Sequence, residues 1–372
     1  MATGNTGSTA GLKSQGWAKD LHADAIDQLY FNQIGVMGKG DNYIVSIDDE
    51  LSKVKGEKKT FGISYKLNSG KGTTGDSELE GNEKVLQDYS QDVAIDQIRE
   101  AVRLKGSLEE QKTAYDMRMN AKSQLATWKA EMIERQIFFK LGGVNNTSLT
   151  DVNGVAVAEL CAWSNAPAQV PAADTAAGTG DRYLCADSSG ADSLASTDII
   201  TPQLISRAKK KAMLASPRIQ PLKVNGKNYF VMFVHPNQAY DLYYNATFAQ
   251  ARREAEVRGK ENPIFTGALG VWDGVVIHEH EYVPYLDISV AGHNFNSATV
   301  GTDFSADCYR ALLCGRQAVC YADCKNPKGW VEETFDYSNK VGFATGLIGG
   351  IQKTAFNSLD YAVIAVDTAS SL

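Results

Sequence analysis

The sequence predicts an α+β fold. Three observations carry that reading. Residues 107–141 hold a helical period for about nine turns. Strand-like runs, either alternating or continuously apolar, recur from Phe61 to the closing stretch DYAVIAVDTA. These runs are not separated by regular helices, so the βαβ rhythm of a parallel sheet is missing.

Residues 1 to about 16, MATGNTGSTAGLKSQG, are rich in Gly, Ser and Thr. They read as an arm that stays mobile until a partner orders it. Trp17, Leu21, Ile26, Leu29, Tyr30 and Ile34 then fall at roughly helical spacing. Phe61, Ile63, Tyr65 and Leu67 alternate, which predicts a strand with one buried face. NSGKGTTGD is a glycine-rich turn. A strand returns through Val85, Gln87, Tyr89, Val93 and Ile95. This hairpin has a polar, mixed-charge tip and is too thin to hold a core of its own. Such an element must rest on something else, and a neighbouring subunit is the expected support.

Ser107, with Glu110 three residues on, reads as the capping box that opens the longest helix. Leu108, Tyr115, Leu125, Trp128, Met132 and Leu141 recur at helical steps, and Gly142 and Gly143 end it. About 34 residues at 1.5 Å each give ~51 Å, the length of a spine that bridges regions or subunits. Residues 145–198 are rich in Ala, Ser, Gly and Asp and read as an irregular insertion. Thr201 and Pro202 are N-cap and first residue of the helix TPQLISRAKKKAMLAS. NYFVMFVHP is a buried strand, and NQAYDLYYNATFAQARREAEVRG is a helix ended by Gly259. VWDGVVIHEHEYV and YRALLCGRQAVCYADC are strands. GWVEETFDYSNKVGFATGLIGGIQKTAF is a long hairpin turning at Tyr337 to Lys340. No internal repeat is seen.

Bulk properties narrow the function. The 372 residues are 43% hydrophobic and 22% charged, enough for a sizeable core. The net charge of −7 argues against phosphate contacts spread over the surface. It is compatible with enclosing DNA without gripping it. No signal-peptide pattern and no apolar run of membrane-spanning length occurs, so no membrane role is expected. Six cysteines without a secretion signal predict reduced thiols.

The motifs that suggest chemistry are each incomplete. Gly70, Gly72 and Gly75 match a dinucleotide-loop spacing but precede the acidic DSELEGNE with no helix opening, so they read as a hairpin tip. His278 and His280 lie two apart and share a face of an extended strand, with Glu279 opposite. A metal-dependent hydrolase built on them needs a third ligand, for which His293 is the candidate, since His22 and His235 fall on other elements. The plainer reading is a half-exposed strand with polar residues on its solvent side. Cys314, Cys320 and Cys324 share a strand face with Cys308 nearby, but lack paired C-x-x-C spacing and read as buried small hydrophobes. RAKKKAM has no interleaved aromatics and reads as the solvated face of a helix. No catalytic residue, cofactor or metal site is assigned.

GDSELEGNE at 75–83, IDQIREAV at 95–102, ENPIFTGALGVWDGVVIHEHEYV and FDYSNKVGFATGLIGGIQKTAF resemble the major capsid family of N4-type phages, within the tailed-phage capsid proteins of the HK97 fold. The resemblance runs from near residue 17 to the end and is weakest over 145–198. It implies an N-terminal arm at 1–58 and an E-loop at 59–94. A P-domain follows at 95–200, with its spine helix at about 107–141 and the irregular insertion. An A-domain at 201–324, a P-domain return hairpin at 325–355 and a C-terminal strand at 356–372 complete it. The implied function is a virion shell of pentamers and hexamers enclosing double-stranded DNA without sequence-specific binding, assembled in the host cytoplasm. Portal, scaffolding or decoration proteins are the other implied partners. A minor capsid or decoration protein is the alternative within the same class. No active-site residue carries over, because the family is structural. Lys71, Asp76, Glu78 and Glu80, at the hairpin tip, are expected to contact an adjacent subunit.

Overall fold

Asp116, rather than Ser107, opens the long helix. Its side chain accepts hydrogen bonds from the backbone N–H groups of Arg118, at 2.9 Å, and Met119. The expected single helix is therefore divided, with a short helix Ser107–Lys112 followed by the spine helix Met117–Gly142. The Ser107 hydroxyl is 2.8 Å from Asn339 Oδ1 in the late hairpin, so it fastens two segments instead. The spine is thus about 39 Å long rather than ~51 Å. It ends as the glycines predict: Gly143 takes the left-handed conformation, φ 65°, that a side chain would resist.

The computed structural model describes residues 7–48, 58–63, 73–76, 78, 80, 89–112, 116–144, 182–187, 194–254, 267–286, 306–324, 329–356 and 359–371. An N-terminal helix, Gly7–Gln28, packs along the spine. Residues 7–16, expected as a mobile arm, are therefore helical. Once 17–28 are docked, each further helical residue adds a hydrogen bond without a new nucleus. Small residues let the two helices approach. Ala18, Leu21 and Ala25 are buried against Ala121, Leu125 and Ala126. Trp17 closes this seam, with the Arg118 guanidinium 4.5 Å from its ring centroid and Trp330 at 5.7 Å.

Two sheets organise the rest. In the first, the order is Met37–Gly38, Val45–Asp48, Val319–Cys324, Lys340–Lys353 and Val331–Phe335. Strand Asp96–Arg103 runs along the other edge of Lys340–Lys353. The spine helix covers one face of this sheet. Phe343, Thr345, Leu347 and Ile351 alternate inward from the long strand and are buried. The late hairpin turns at residues 336–339, where Asp336, Tyr337 and Ser338 are all left-handed.

The second sheet runs Tyr183–Cys185, Val363–Thr368, Cys308–Cys314, Lys227–Val234, Val275–Glu279 and Gly270–Trp272. The C-terminal strand is therefore interior to it, between a strand from the expected irregular insertion and Cys308–Cys314. Both Cys308–Cys314 and Val363–Thr368 are buried along their whole length. Near one end of this pairing, Arg310 makes a two-pronged ion pair with Asp367, at 2.8 and 2.7 Å. Asp367 also accepts from the Tyr183 hydroxyl, and Arg310 donates to the Gly142 carbonyl at the spine's end. One buried network thus joins the second sheet to the spine.

Three further expectations shift. VWDGVVIHEHEYV is a hairpin, not one strand, because Asp273 and Gly274, φ 47° and 74°, make a tight turn. The helix expected over 237–259 divides at Asn245 into Pro236–Tyr244 and Ala246–Glu254, with Asn245 capping the second. Thr201 and Pro202 do open their helix, Pro202–Leu214, with the Thr201 hydroxyl accepting from Leu204 N–H.

Candidate functional site

The histidine pair is the first candidate, and its geometry is that of a packing seam. Strand Val275–Glu279 pairs in parallel with Lys227–Val234, which buries His278 completely and leaves Glu279 exposed. His278 therefore faces the core, not the solvent side expected from sequence. Its Nδ1 is 3.0 Å from the Tyr30 hydroxyl. His280 lies just past the strand and is sandwiched between Tyr30 and Phe138, each with ring centroids 4.5 Å away. Burial lowers its pKa to about 4, so the ring is neutral near pH 7. Glu134, whose Oε2 is 3.9 Å from His280 Nε2, accepts the Tyr30 backbone N–H. Burial raises that carboxyl to about 7. Both imidazoles thus meet Tyr30, where the N-terminal region, the spine and the second sheet come together. His293 lies outside the described residues. Among the described residues, no group of three or more His, Cys, Asp or Glu side chains is arranged to hold a metal.

The other motifs are also used within the fold. His22 bridges Asp323 in the first sheet, at 2.9 Å, and Lys129 on the spine, at 2.8 Å. His235 caps the helix Pro236–Tyr244, and burial lowers its pKa to about 4. Contrary to expectation, Cys314 and Cys320 do not share a strand. They fall in different sheets, because the chain turns at 315–318. Cys185, Cys308, Cys314 and Cys320 are buried and in no disulfide. In the basic run, Lys209 reaches Asp273 at 2.7 Å and Lys211 donates to the Tyr183 carbonyl at 2.6 Å. Two of its cations are therefore intramolecular fasteners rather than a solvated patch.

What remains on the surface is shape. Strands Lys58–Ile63 and Tyr89–Ala94 form an antiparallel ribbon, with Ile63 opposite Tyr89. Its base is anchored by Phe61 and Val93 against Cys320 and Ala322 in the first sheet. Contact there is close. A Cβ on Gly350 would sit 2.0 Å from the Ala94 carbonyl oxygen, so only glycine fits. Lys59 adds an ion pair to Asp48 at 2.8 Å. At the tip, Asp76, Glu78 and Glu80 are exposed, while Lys71 lies outside the described residues. The expected alternation holds at the base, where Phe61 and Ile63 are buried and Thr60 and Gly62 are exposed.

Strand Asp96–Arg103 was not legible as such, and with it a second surface was missed. Its Gln97, Arg99, Ala101 and Arg103 are exposed on the side of the first sheet turned away from the spine. The period-2 spacing of those residues was the available signal.

Comparison with known proteins fits this architecture. A family model described as phage capsid protein matches residues 5–372. The major capsid protein of Pseudomonas phage KPP25 is 30% identical over 315 residues, 81% of each chain. Among solved structures, the capsid of Ralstonia phage GP4 superposes with a TM-score of 0.73 at 28% identity, covering 92% of this chain and 91% of that one. The capsid of cyanophage Pam1 gives 0.67 at 24% identity, covering 92% and 93%, and supports the fold. The chain belongs to the phage capsid protein family and has the HK97-type capsid fold.

Proposed function

We propose that this protein is the major capsid protein of a tailed bacteriophage, assembling as pentamers and hexamers into the icosahedral shell around double-stranded DNA. The observation that carries the reading is the ribbon at 58–94. Among the described residues its base is fastened to the body, and Asp76, Glu78 and Glu80 at its tip are exposed. A chain of this family gains by laying such an extension across a neighbour, since it adds buried area that a compact subunit lacks. Closed symmetry makes each contact recur around the shell, and many modest contacts held together make dissociation slow.

In this reading Lys71, Asp76, Glu78 and Glu80 touch the adjacent subunit. The shell resides in the virion and is built in the host cytoplasm. Portal and scaffolding or decoration proteins are its further partners, and DNA is contained without sequence-specific binding. The role is geometric rather than catalytic. The burial of His278 against Tyr30 favours that over a hydrolytic metal site.

Deleting residues 68–76 tests the reading. The expected outcome is soluble, folded subunits that no longer form stable shells by negative-stain microscopy. Particles as numerous and as heat-resistant as those of the parent would refute it.

A further inference from the structure

The seam between the N-terminal helix and the spine is made largely of alanines. Ala18 and Ala25 meet Ala121 and Ala126, with Leu21 and Leu125 as the larger pair. Methyl groups bury little area each, so polar contacts carry more of the docking. Two of these contacts lie at the surface, where water competes. Asp24 pairs with Lys122 at 2.9 Å, and Gln28 accepts from the Thr127 hydroxyl at 3.1 Å. The third is His22. It reaches inward to two buried charges on different elements, Lys129 of the spine and Asp323 of the first sheet.

These partners fix the protons. Burial lowers the Lys129 pKa to about 8, with Asp323 opposing the shift, so Lys129 is mostly an ammonium at neutral pH. An ammonium only donates, so His22 Nδ1 accepts from it and Nε2–H donates to the Asp323 carboxylate. A neutral imidazole leaves the trio with no net charge. Passing a proton from Lys129 to His22 changes neither the count nor the net charge. One further proton changes both. Nδ1–H then faces the Lys129 ammonium, donor against donor, and an uncompensated charge is buried. The surroundings offer little relief. Tyr321, two residues from Asp323, stays protonated because burial and that carboxylate raise its pKa. On the helix of His22 itself, Lys19 is exposed one turn back and Asp24 is held by Lys122.

We infer that His22 is a proton-operated clasp, which holds the N-terminal helix on the spine at neutral pH and releases it in mild acid while the rest of the subunit stays folded. Histidine is the side chain that gains charge in that range. The inference goes beyond shell building, since the change needs no neighbouring copy. Its sign follows from the proton count. The docked helix binds fewer protons at His22 than the free one, so docking is lost as pH falls.

Fluorine NMR of the full-length unassembled subunit, labelled with 5-fluorotryptophan, tests this between pH 7.5 and 5. Trp17 and Trp330, with ring centroids 5.7 Å apart, report the seam, and Trp272 reports the second sheet. Trp17→Phe, Trp272→Phe and Trp330→Phe assign the signals. On acidification the Trp17 and Trp330 signals are expected to move together while that of Trp272 stays. Three substitutions separate a clasp from ordinary packing. His22→Gln keeps an acceptor for Lys129 and a donor for Asp323 but cannot charge, so its helix is expected to stay docked at pH 5. Lys129→Met leaves a charged His22 paired with Asp323 alone, so docking is expected to strengthen in acid. Asp323→Asn removes the compensating carboxylate, and release is expected about one pH unit higher. Glu134, whose pKa burial raises to about 7, is intact in all three and drops out of the comparison. Release of the His22→Gln helix at the parent's pH would overturn the inference. So would a parent helix that stays docked at pH 5, or seam and Trp272 signals that move as one, since release is then global unfolding. Should His22→Gln already be undocked at pH 7.5, Lys129→Met decides, and acid release in that variant at the parent's pH also overturns the clasp.

Discussion

The two sheets of this protein are finished differently. In the second, Cys308–Cys314 and Val363–Thr368 are buried at every position, and elements of the same chain cover both faces. In the first, the spine covers one face, but Val331–Phe335 is exposed throughout and Asp96–Arg103 is mostly so. An antiparallel sheet tolerates one wet face, yet a wet face usually carries polar side chains throughout. Here it also carries the large apolar side chains of Val331 and Phe335. The second sheet is thus covered on both faces by its own chain, whereas the first keeps one face open. Charge is paired and buried at Arg310–Asp367 in the second sheet and at Lys353–Asp360 at the end of the first sheet's long strand, but exposed at Arg99, Arg103 and the ribbon tip.

The largest effect that could break this comparison lies at Arg310. Arg310→Met strands the Asp367 carboxylate in a fully buried site, with the Tyr183 hydroxyl as its remaining side-chain donor among the described residues. Removing one partner of a buried ion pair costs about 3–5 kcal/mol. It also releases the Gly142 carbonyl at the spine's end. Urea unfolding of the unassembled subunit is the measurement. A loss of that size marks the second sheet as the seat of subunit stability. An unchanged midpoint would mean that the body does not depend on its own buried network.

A smaller and more local effect is expected at the join between body and ribbon. Gly350→Ala places a methyl group into the Ala94 carbonyl, which only separation of ribbon and sheet relieves. Overpacking of this kind costs about 1–3 kcal/mol. The loss should fall on the ribbon and not on the second sheet. Proteolysis is therefore expected to speed up within 58–94 while the rest of the subunit stays protected. Uniform acceleration across the chain would show that ribbon and body are one cooperative unit.

What the sequence disclosed follows the same division. Patterns set by local physics were legible: the alternation at Phe61 and Ile63, the Thr201–Pro202 helix start, the Gly143 stop and the late hairpin. Patterns set by pairing between distant segments were not. DQIREAVR is built largely of good helix formers, and it is a strand because Lys340–Lys353 offers it an edge. Asp116 looks like one more polar residue in a helical run, and only the structure reveals it as a cap. Burial of His278 follows from its parallel pairing with Phe233, a partner 45 positions away that no periodicity announces. The acidic tip was visible in sequence, whereas the meeting of His22, Lys129 and Asp323 required three elements to be placed.

The smallest expected effect is one of slope rather than size, at the seam where the two regions meet. Glu134 has a pKa raised from 4.5 to about 7 by burial. A raised acid binds its proton more tightly when folded, so it contributes stability below pH 4.5 that is lost as pH rises through 7. His235 and His280 have the opposite sign. Burial lowers each from 6.5 to about 4, so each costs stability as pH falls through that window. Between roughly pH 4.5 and 6.5, unfolding therefore takes up protons at two histidines and releases one from Glu134. Glu134→Gln keeps a carbonyl oxygen for the Tyr30 N–H and removes the opposing term. The variant's stability is expected to climb more steeply with pH in that window than the parent's, by up to one further proton. Unfolding midpoints at pH 5, 6, 7 and 8 measure it. Parallel curves would place Glu134 in water, and Tyr30 would then not be locked between the spine and the second sheet.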